Sequence, residues 1–278
     1  YDRRSHELID IQPMPAEGDP PERFNWDAPI IVSPHASSRL YFGSQRLWRS
    51  DDRGNGWTAV SGDLTHDRNR YELEMMGRVW SVDALYDNGA MSLYGTITTV
   101  SESPLVEGLL YVGTDDGRIQ VSEDGGGAWR IADVPGVPEL SFVNDIQASL
   151  HDPDAVYVVI DAHKTGDFAA HVFASADRGR TWGSITGDLP ENEIAWALEQ
   201  DHVAADLLFL GAEYGLYFSP DGGAHWVELT GGVPTISFRD IEIQRRENDL
   251  VAASFGRGFY VLDDYTPLRA IGNGALEN

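Results

Sequence analysis

One eight-residue pattern, S-x-D-x-G-x-x-W, occurs four times in this sequence and limits the folds that the chain can adopt. Short Ser and Asp side chains can bond to the backbone N–H groups of a tight turn, and Gly supplies the positive φ that such a turn needs. The Trp then offers a large apolar ring at the start of the next strand. The pattern therefore predicts a structural strand–turn–strand unit rather than a set of catalytic aspartates. The residues that we assign to this structural role are Ser50, Asp52, Gly54, Trp57, Ser122, Asp124, Trp129, Ser175, Asp177, Gly179, Trp182, Ser219, Asp221, Gly223 and Trp226.

Each copy ends a longer unit of short apolar strands separated by turn residues. Such units, repeated at a regular spacing, are typical of an all-β repeat protein, and a β-propeller blade of four antiparallel strands fits them best. We predict one propeller domain over residues 1–278, with about five blades if the ring closes, and otherwise part of a larger propeller. Closure would remove the exposed sheet edges. The predicted blades cover residues 24–60, 94–132, 142–186, 194–230, and 236–264 completed by 1–13, with a long insertion at 61–92.

The four copies resemble the Asp-box, or BNR repeat, of sialidases, two-propeller xyloglucan hydrolases and sortilin-type receptors. Further runs, RFNWDAPIIVSPH from Arg23, YGTITTVSESPL from Tyr94, LLYVGTDDG from Leu109 and FGRGFYVLDDYTPLR from Phe255, are similar to the C-terminal half of secreted bacterial BNR-repeat or sortilin-like "glycosyl hydrolases". The resemblance covers nearly the whole chain. It implies an extracellular or periplasmic location and an upstream propeller in the same parent protein. The hydrolase name follows the fold in that family, so it is weak evidence for chemistry.

The charge of the chain argues against several partners. Asp and Glu number 45 against 20 Lys and Arg, giving a net charge of −25, so nucleic acid and anionic membranes are not expected to bind. No apolar stretch is long enough to span a membrane. There is no Cys, and Lys164 is the single lysine. An acidic, lysine-poor surface suits a high-salt habitat, while a coding bias toward Arg explains the same composition equally well.

The candidate site lies on the face opposite the four repeated turns. In a propeller, the loops between second and third strands share that face with the blade-to-blade loops. A blade-to-blade loop as long as 61–92 is usually functional or disordered, and its aromatic and Met residues favour function. We predict a recognition module that binds a protein, peptide or glycan there. The candidate ligand-binding residues are Arg46, Trp80, His163, Asp167, Tyr214 and Arg257.

The alternative is a glycoside hydrolase, which needs one carboxylic acid and one carboxylate about 5 to 10 Å apart. Its candidate catalytic residues are Asp115, Asp116 and Glu213. Sialidase activity is not expected, because the sequence lacks the Arg-Ile-Pro motif of those enzymes. His163, Asp167 and His171 could ligate a metal by residue type, but their spacing matches no common metal site. We therefore predict no metal and no cofactor.

Overall fold

The computed structural model of the chain describes residues 1–75, 77–80 and 93–273. Its regular structure is β-sheet, with short 3-10 helices at Arg70–Glu72, His163–Thr165 and Thr266–Asn273. Blade 1 contains β1 (Ile30–Val32), β2 (Leu40–Gly43), β3 (Leu47–Ser50) and β4 (Thr58–Ala59), and is followed by a hairpin of β5 (Glu74–Met75) and β6 (Arg78–Val79). Blade 2 contains β7 (Ile97–Glu102), β8 (Leu110–Thr114), β9 (Ile119–Ser122) and β10 (Arg130–Ile131). Blade 3 contains β11 (Phe142–Ala148), β12 (Val156–Asp161), β13 (His171–Ser175) and β14 (Gly183–Ser184). Blade 4 contains β15 (Ala195–Gln200), β16 (Leu208–Ala212), β17 (Leu216–Ser219) and β18 (Val227–Glu228), and blade 5 contains β19 (Phe238–Gln244), β20 (Asp249–Ser254) and β21 (Gly258–Leu262).

Every blade is an antiparallel sheet whose neighbouring strands follow one another in sequence. Blades 1 to 4 have four strands and blade 5 has three. The all-β propeller predicted from the sequence is confirmed. The sheets are not closed into a ring, because residues 1–13 form no strand and do not join blade 5. The predicted insertion at 61–92 includes the β5–β6 hairpin, whereas residues 76 and 81–92 lie outside the described part of the chain.

The four S-x-D-x-G-x-x-W segments, here called the box turns, join the third strand to the fourth in blades 1 to 4. In the first, Ser50 Oγ lies 2.8 Å from Asp52 Oδ1 and accepts the N–H of Gly54 at 2.8 Å. The Asp52 carboxylate in turn accepts the N–H of Gly56 at 2.8 Å. Gly54 has a φ of +89°, which a residue with a side chain rarely adopts. The same Ser–Asp–Gly contacts recur in the other three box turns.

The apolar cores lie between successive blades rather than within one blade. Each of the four clusters of buried side chains joins residues of one blade to residues of the next. Glycines on the second strands permit this close approach. A Cβ at Gly113 would lie 2.4 Å from Val143, and one at Gly211 would lie 2.7 Å from the carbonyl oxygen of Phe238. The inner strands are therefore held in fixed positions around the propeller axis.

Candidate functional site

Blades 2 to 5 share a β-bulge at the same point of the inner strand. The pairing register shifts by one residue there, so that one extra residue is inserted in each blade. A bulge turns the inserted side chain away from the regular alternation of a strand and is frequent beside functional sites. The inserted residues are Thr98, Asn144, Trp196 and Arg239.

All four inserted residues line one cavity of about 860 Å³, here called the axial cavity. Its wall draws residues from all five blades, including Ile30 of blade 1 and Phe255 of blade 5. The bulges lie near the start of the inner strands, whereas the box turns follow the third strands. Because the strands are antiparallel, the axial cavity opens on the face opposite the box turns.

Aromatic and cationic side chains stack at the wall formed by blades 3 to 5. The Arg239 guanidinium lies 3.4 Å from the centre of the Trp196 ring and 5.3 Å from that of Phe255. The His163 ring meets the same indole edge-on at 6.0 Å. Glu213 accepts the indole N–H of Trp196 at 2.9 Å and lies 3.7 Å from Arg239. This arrangement offers a ligand flat rings and fixed cations, which bind peptide and sugar groups alike.

Carboxyl groups line the inner strands beneath this stack. Burial and the nearby charge of Asp240 raise the pKa of Asp145 to about 6. Desolvation in the cavity also raises the pKa of Asp240, although part of this side chain remains exposed to solvent. Further along the inner strands, burial and the charges of Glu242 and Asp145 raise the pKa of Glu199 to about 8. These side chains are here called the axial carboxyls: Asp145, Glu199, Asp240 and Glu242. Burial is the main cause of the raised pKa in all four, and of the four only Asp145 and Asp240 line the axial cavity.

The three candidate catalytic residues are all held by internal hydrogen bonds. Asp115 is buried and accepts the N–H groups of Gly95 and Thr96 and the Thr96 hydroxyl. Burial raises its pKa to about 6. Asp116 accepts the Thr114 hydroxyl and lies in the wall of a second cavity of about 250 Å³ between blades 2 and 3. Glu213 holds the Trp196 indole next to the axial cavity. None of the three lies in the wall of the axial cavity itself.

Of the six candidate ligand-binding residues, one lines the axial cavity. His163 does so, and its Nδ1 lies 2.5 Å from Asp161 Oδ2. Asp167 instead lies 2.9 Å from His171, so the two histidines do not converge on it. Within the described ranges, no group of three or more His, Asp or Glu side chains is arranged to hold a metal ion.

The other four candidates lie away from the axial cavity. Arg46 pairs with the buried carboxylate of Glu22, and Trp80 stacks under the guanidinium of Arg78. Tyr214 and Arg257 are exposed on loops of blades 4 and 5.

Sequence reasoning missed most of the cavity wall because it looked at loops rather than at inner strands. Trp196 and the axial carboxyls all belong to strands β11, β15 and β19. A signal was present: the strand sequences FVNDIQA and FRDIEIQ each break the apolar–polar alternation with two adjacent polar residues, Asn144–Asp145 and Arg239–Asp240. Aligning the inner strands of the repeats would have shown that these positions are equivalent and chemically different.

Comparisons with known proteins show the fold. An ancestral GH74 enzyme superimposes with a TM-score of 0.60 and 16% identity, over 84% of this chain and 28% of that chain. The GH74 xyloglucanase of Xanthomonas campestris gives 0.57 and 20%, over 84% of this chain and 36% of its own. YCF48, solved with a bound D1 peptide, gives 0.55 and 14%, over 91% of this chain and 68% of its own. The chain thus spans about a third of the length of the two GH74 enzymes, and it is similar in fold both to enzymes and to a peptide-bound propeller.

No protein-family model matches the sequence, and no curated protein matches it either. Among the described residues, no helix has the length and apolar character needed to cross a membrane. The fold and the geometry of the axial cavity are therefore the basis for assigning a function.

Proposed function

We propose that this chain is a recognition module that binds a protein, peptide or glycan on the face opposite the box turns, with the axial cavity as the contact site. The observation that carries the proposal is the set of four bulges, which bring Thr98, Asn144, Trp196 and Arg239 into the wall of one cavity. A cavity of about 860 Å³ lies within the range that ligand pockets occupy. The Trp196–Arg239–Phe255 stack supplies ring surface and a cation, and Asp145 and Asp240 in the cavity wall supply carboxyl groups for hydrogen bonds to the ligand.

The test is a binding screen with matched variants. The wild-type chain is applied to a glycan array and to a phage-displayed peptide library, and the hits are measured by calorimetry. Arg239→Ala and Phe255→Ala should weaken the hits at least about tenfold, since a well-packed contact is worth more than 1 kcal/mol. Arg180→Ala, an exposed arginine of a box turn, should leave them unchanged. The absence of hits in both screens, or equal loss in Arg180→Ala, would contradict the proposal.

Glycoside hydrolysis is a second candidate, and a specific observation favours it. Asp145 and Asp240 both line the axial cavity, and both have raised pKa values, as an acid that works near neutral pH requires. If the chain is a hydrolase, it releases reducing sugar from xyloglucan or a β-glucan but not from sialosides. Asp145→Asn and Asp240→Asn should each abolish that release, whereas Asp177→Asn in a box turn should not. Parallel variants of Asp115, Asp116 and Glu213 test the residues predicted from the sequence.

The setting of the module is part of the same proposal. The resemblance to sortilin-like BNR-repeat proteins supports a secreted or periplasmic protein that carries a further propeller. The net charge of −25 supports function in high salt, where screening reduces repulsion between surface carboxylates. Thermal unfolding in low and in molar salt tests the second statement, and an unchanged midpoint would contradict it.

A further inference from the structure

Residues 9–11, which precede blade 1, make the contacts of a fourth strand and of the residue after it, although they pair with no sheet. In blades 2 to 4, the box tryptophan donates its indole N–H to the residue that directly follows the fourth strand of the preceding blade. The acceptors are the carbonyl oxygens of Val60, Ala132 and Ile185. The first box tryptophan, Trp57, donates in the same way to the carbonyl oxygen of Ile11, at 2.7 Å.

A second, independent contact also makes Ile11 equivalent to the residue that follows a fourth strand. The central glycine of each box turn packs on the acceptor residue of the preceding blade. A Cβ built on Gly126 would lie 2.7 Å from Val60 Cβ, and one on Gly223 would lie 2.7 Å from Ile185 Cβ. One on Gly54 would lie 2.8 Å from Ile11 Cβ. Ile11 therefore occupies the position that follows a fourth strand, and residues 9 and 10 occupy the position of that strand.

Blade 5 has the complementary deficiency. Its third strand, β21, has no fourth strand beside it among the described residues. Phe259 and Val261 on β21 are 75% and 56% exposed, and Ile9 is 57% exposed. An apolar, unpaired strand edge of this kind favours pairing with another strand.

The pairing register can be read from the other blades. Ser50 of the first box turn lies opposite Leu40, and Leu262 lies opposite Leu250 in the same way, so Leu262 corresponds to Ser50. In blade 1, Arg49 lies opposite Thr58. Transferred to blade 5, this register places Ile9 opposite Val261 and Asp10 opposite Tyr260.

We propose that residues 9 and 10 of this chain form the fourth strand of blade 5 and so close the propeller. Two observations indicate the chain's own strand rather than that of a second molecule. Ile30 of blade 1 and Phe255 of blade 5 already line the same cavity of about 860 Å³, so the two ends of the array face one space. Ile30 and Val32, on the open side of blade 1, are exposed and offer an apolar surface against which the last sheet can pack. Closure then requires a movement of blade 5 toward blade 1, with the box turns unchanged.

The experiment uses the absence of cysteine from the chain. The double variant Ile9→Cys/Val261→Cys is oxidised under mild conditions, and the products are separated by mass and by non-reducing electrophoresis. Directly opposed residues in antiparallel strands have Cα atoms about 4.5–5.5 Å apart, within the range of about 4.4–6.8 Å that a disulfide spans. Arg49→Cys/Thr58→Cys, the equivalent pair of blade 1, is the positive control, and Ile9→Cys/Val203→Cys is the negative control. We expect an internal disulfide in most monomers of the test pair, as in the positive control.

A substitution without cysteine gives a second readout. Val261→Lys adds a charge to an exposed side chain if the ring is open. If the ring is closed, it places that charge between two blades, where the equivalent Val121 and Phe218 of blades 2 and 4 are buried. We therefore expect Val261→Lys to lower the melting temperature by about 3 °C or more, and Val203→Lys, at an equally exposed valine, to change it less. Disulfide-linked dimers as the main product would show pairing with a second copy and overturn the proposal. Absence of the internal disulfide together with an unchanged melting temperature would also overturn it.

Discussion

The two faces of this propeller use equivalent positions in opposite ways. On the box-turn face, blades 1 to 4 repeat the same Ser, Asp, Gly and Trp, and each copy makes the same hydrogen bonds. On the cavity face, the inserted bulge position of blades 2 to 5 holds a Thr, an Asn, a Trp and an Arg. A turn with positive φ and buried hydrogen bonds accepts few residues, whereas a side chain that points into a cavity accepts many. Repetition thus marks the part of a blade that builds the fold, and divergence marks the part available for recognition.

Carboxyl groups on the two faces show the same contrast in their pKa values. Hydrogen bonds from the hydroxyl and the backbone N–H of Thr181 lower the pKa of Asp177 in the third box turn. Burial raises the pKa values of the axial carboxyls Asp145 and Glu199. The hydrogen bonds of the box turn thus favour the charged form of Asp177, whereas burial disfavours the charged form of Asp145 and Glu199. Strongly perturbed pKa values are common at functional sites.

The largest effect is expected from removing a box tryptophan. Trp226 is buried between blades 3 and 4 and donates its indole N–H to the Ile185 carbonyl at 3.0 Å. Trp226→Ala should lower the free energy of unfolding by about 3–5 kcal/mol, the usual cost of emptying an aromatic site in a core. Denaturant unfolding measures it. Trp226→Phe, which keeps a ring but loses the hydrogen bond, should cost less, and a loss below about 1 kcal/mol in the alanine variant would show that the box turns do not hold the blades together.

A pH-dependent effect is expected from Glu199, which is 7% exposed. Its pKa is raised from an ordinary value of 4.5 to about 8, so between those values the folded chain binds more protons than the unfolded chain. The stability that the protonated Glu199 carboxyl contributes is therefore lost as the pH rises from 4.5 to about 8. Glu199→Gln should reduce the fall of the melting temperature with rising pH, and it should raise the melting temperature at pH 8 by about 3 °C or more. Glu228→Gln, at an exposed side chain, is the control. If the melting temperature of Glu199→Gln falls with pH as steeply as that of the wild type, Glu199 is not the group responsible.

The sequence was sufficient to predict the fold class because the box turns and the strand spacing are local signals. Each box turn depends on residues within eight positions, and each occurs at the end of a third strand. The site was harder to predict because it depends on which residues of different blades meet. Trp196 and Arg239 are 43 positions apart in the sequence, yet the Arg239 guanidinium lies 3.4 Å from the centre of the Trp196 ring. Two of the four bulged strands carry adjacent polar residues at the bulge, but this local pattern does not show which blades meet, and the sequence pointed to the loop residues Arg46, Asp167 and Tyr214 instead.

A smaller and opposite pH effect is expected from the box turn. Because hydrogen bonds lower the pKa of Asp177, its contribution to stability is present above its unfolded pKa and is lost as pH falls through the acid range. Asp177→Asn should therefore reduce the slope of the melting temperature between pH 6 and pH 3, while Glu199→Gln alters the slope above that range. Melting curves of both variants across the two ranges check the contrast between the faces. If the melting temperature of Asp177→Asn falls between pH 6 and pH 3 as steeply as that of the wild type, the two faces do not differ in this way. Glu191→Gln, at an exposed side chain, serves as the control.

The smallest effect on stability should come from Phe255 at the wall of the axial cavity. Its ring is 71% exposed and lies 5.3 Å from the Arg239 guanidinium, which keeps its closer stack on Trp196 when the ring is removed. Phe255→Ala should therefore change the free energy of unfolding by no more than about 0.5 kcal/mol, as expected for an exposed site. Loss of ligand affinity without loss of stability would separate recognition from folding at this face. If Phe255→Ala destabilises the chain as a box-turn substitution does, the ring serves the fold, and the division between the two faces does not hold there.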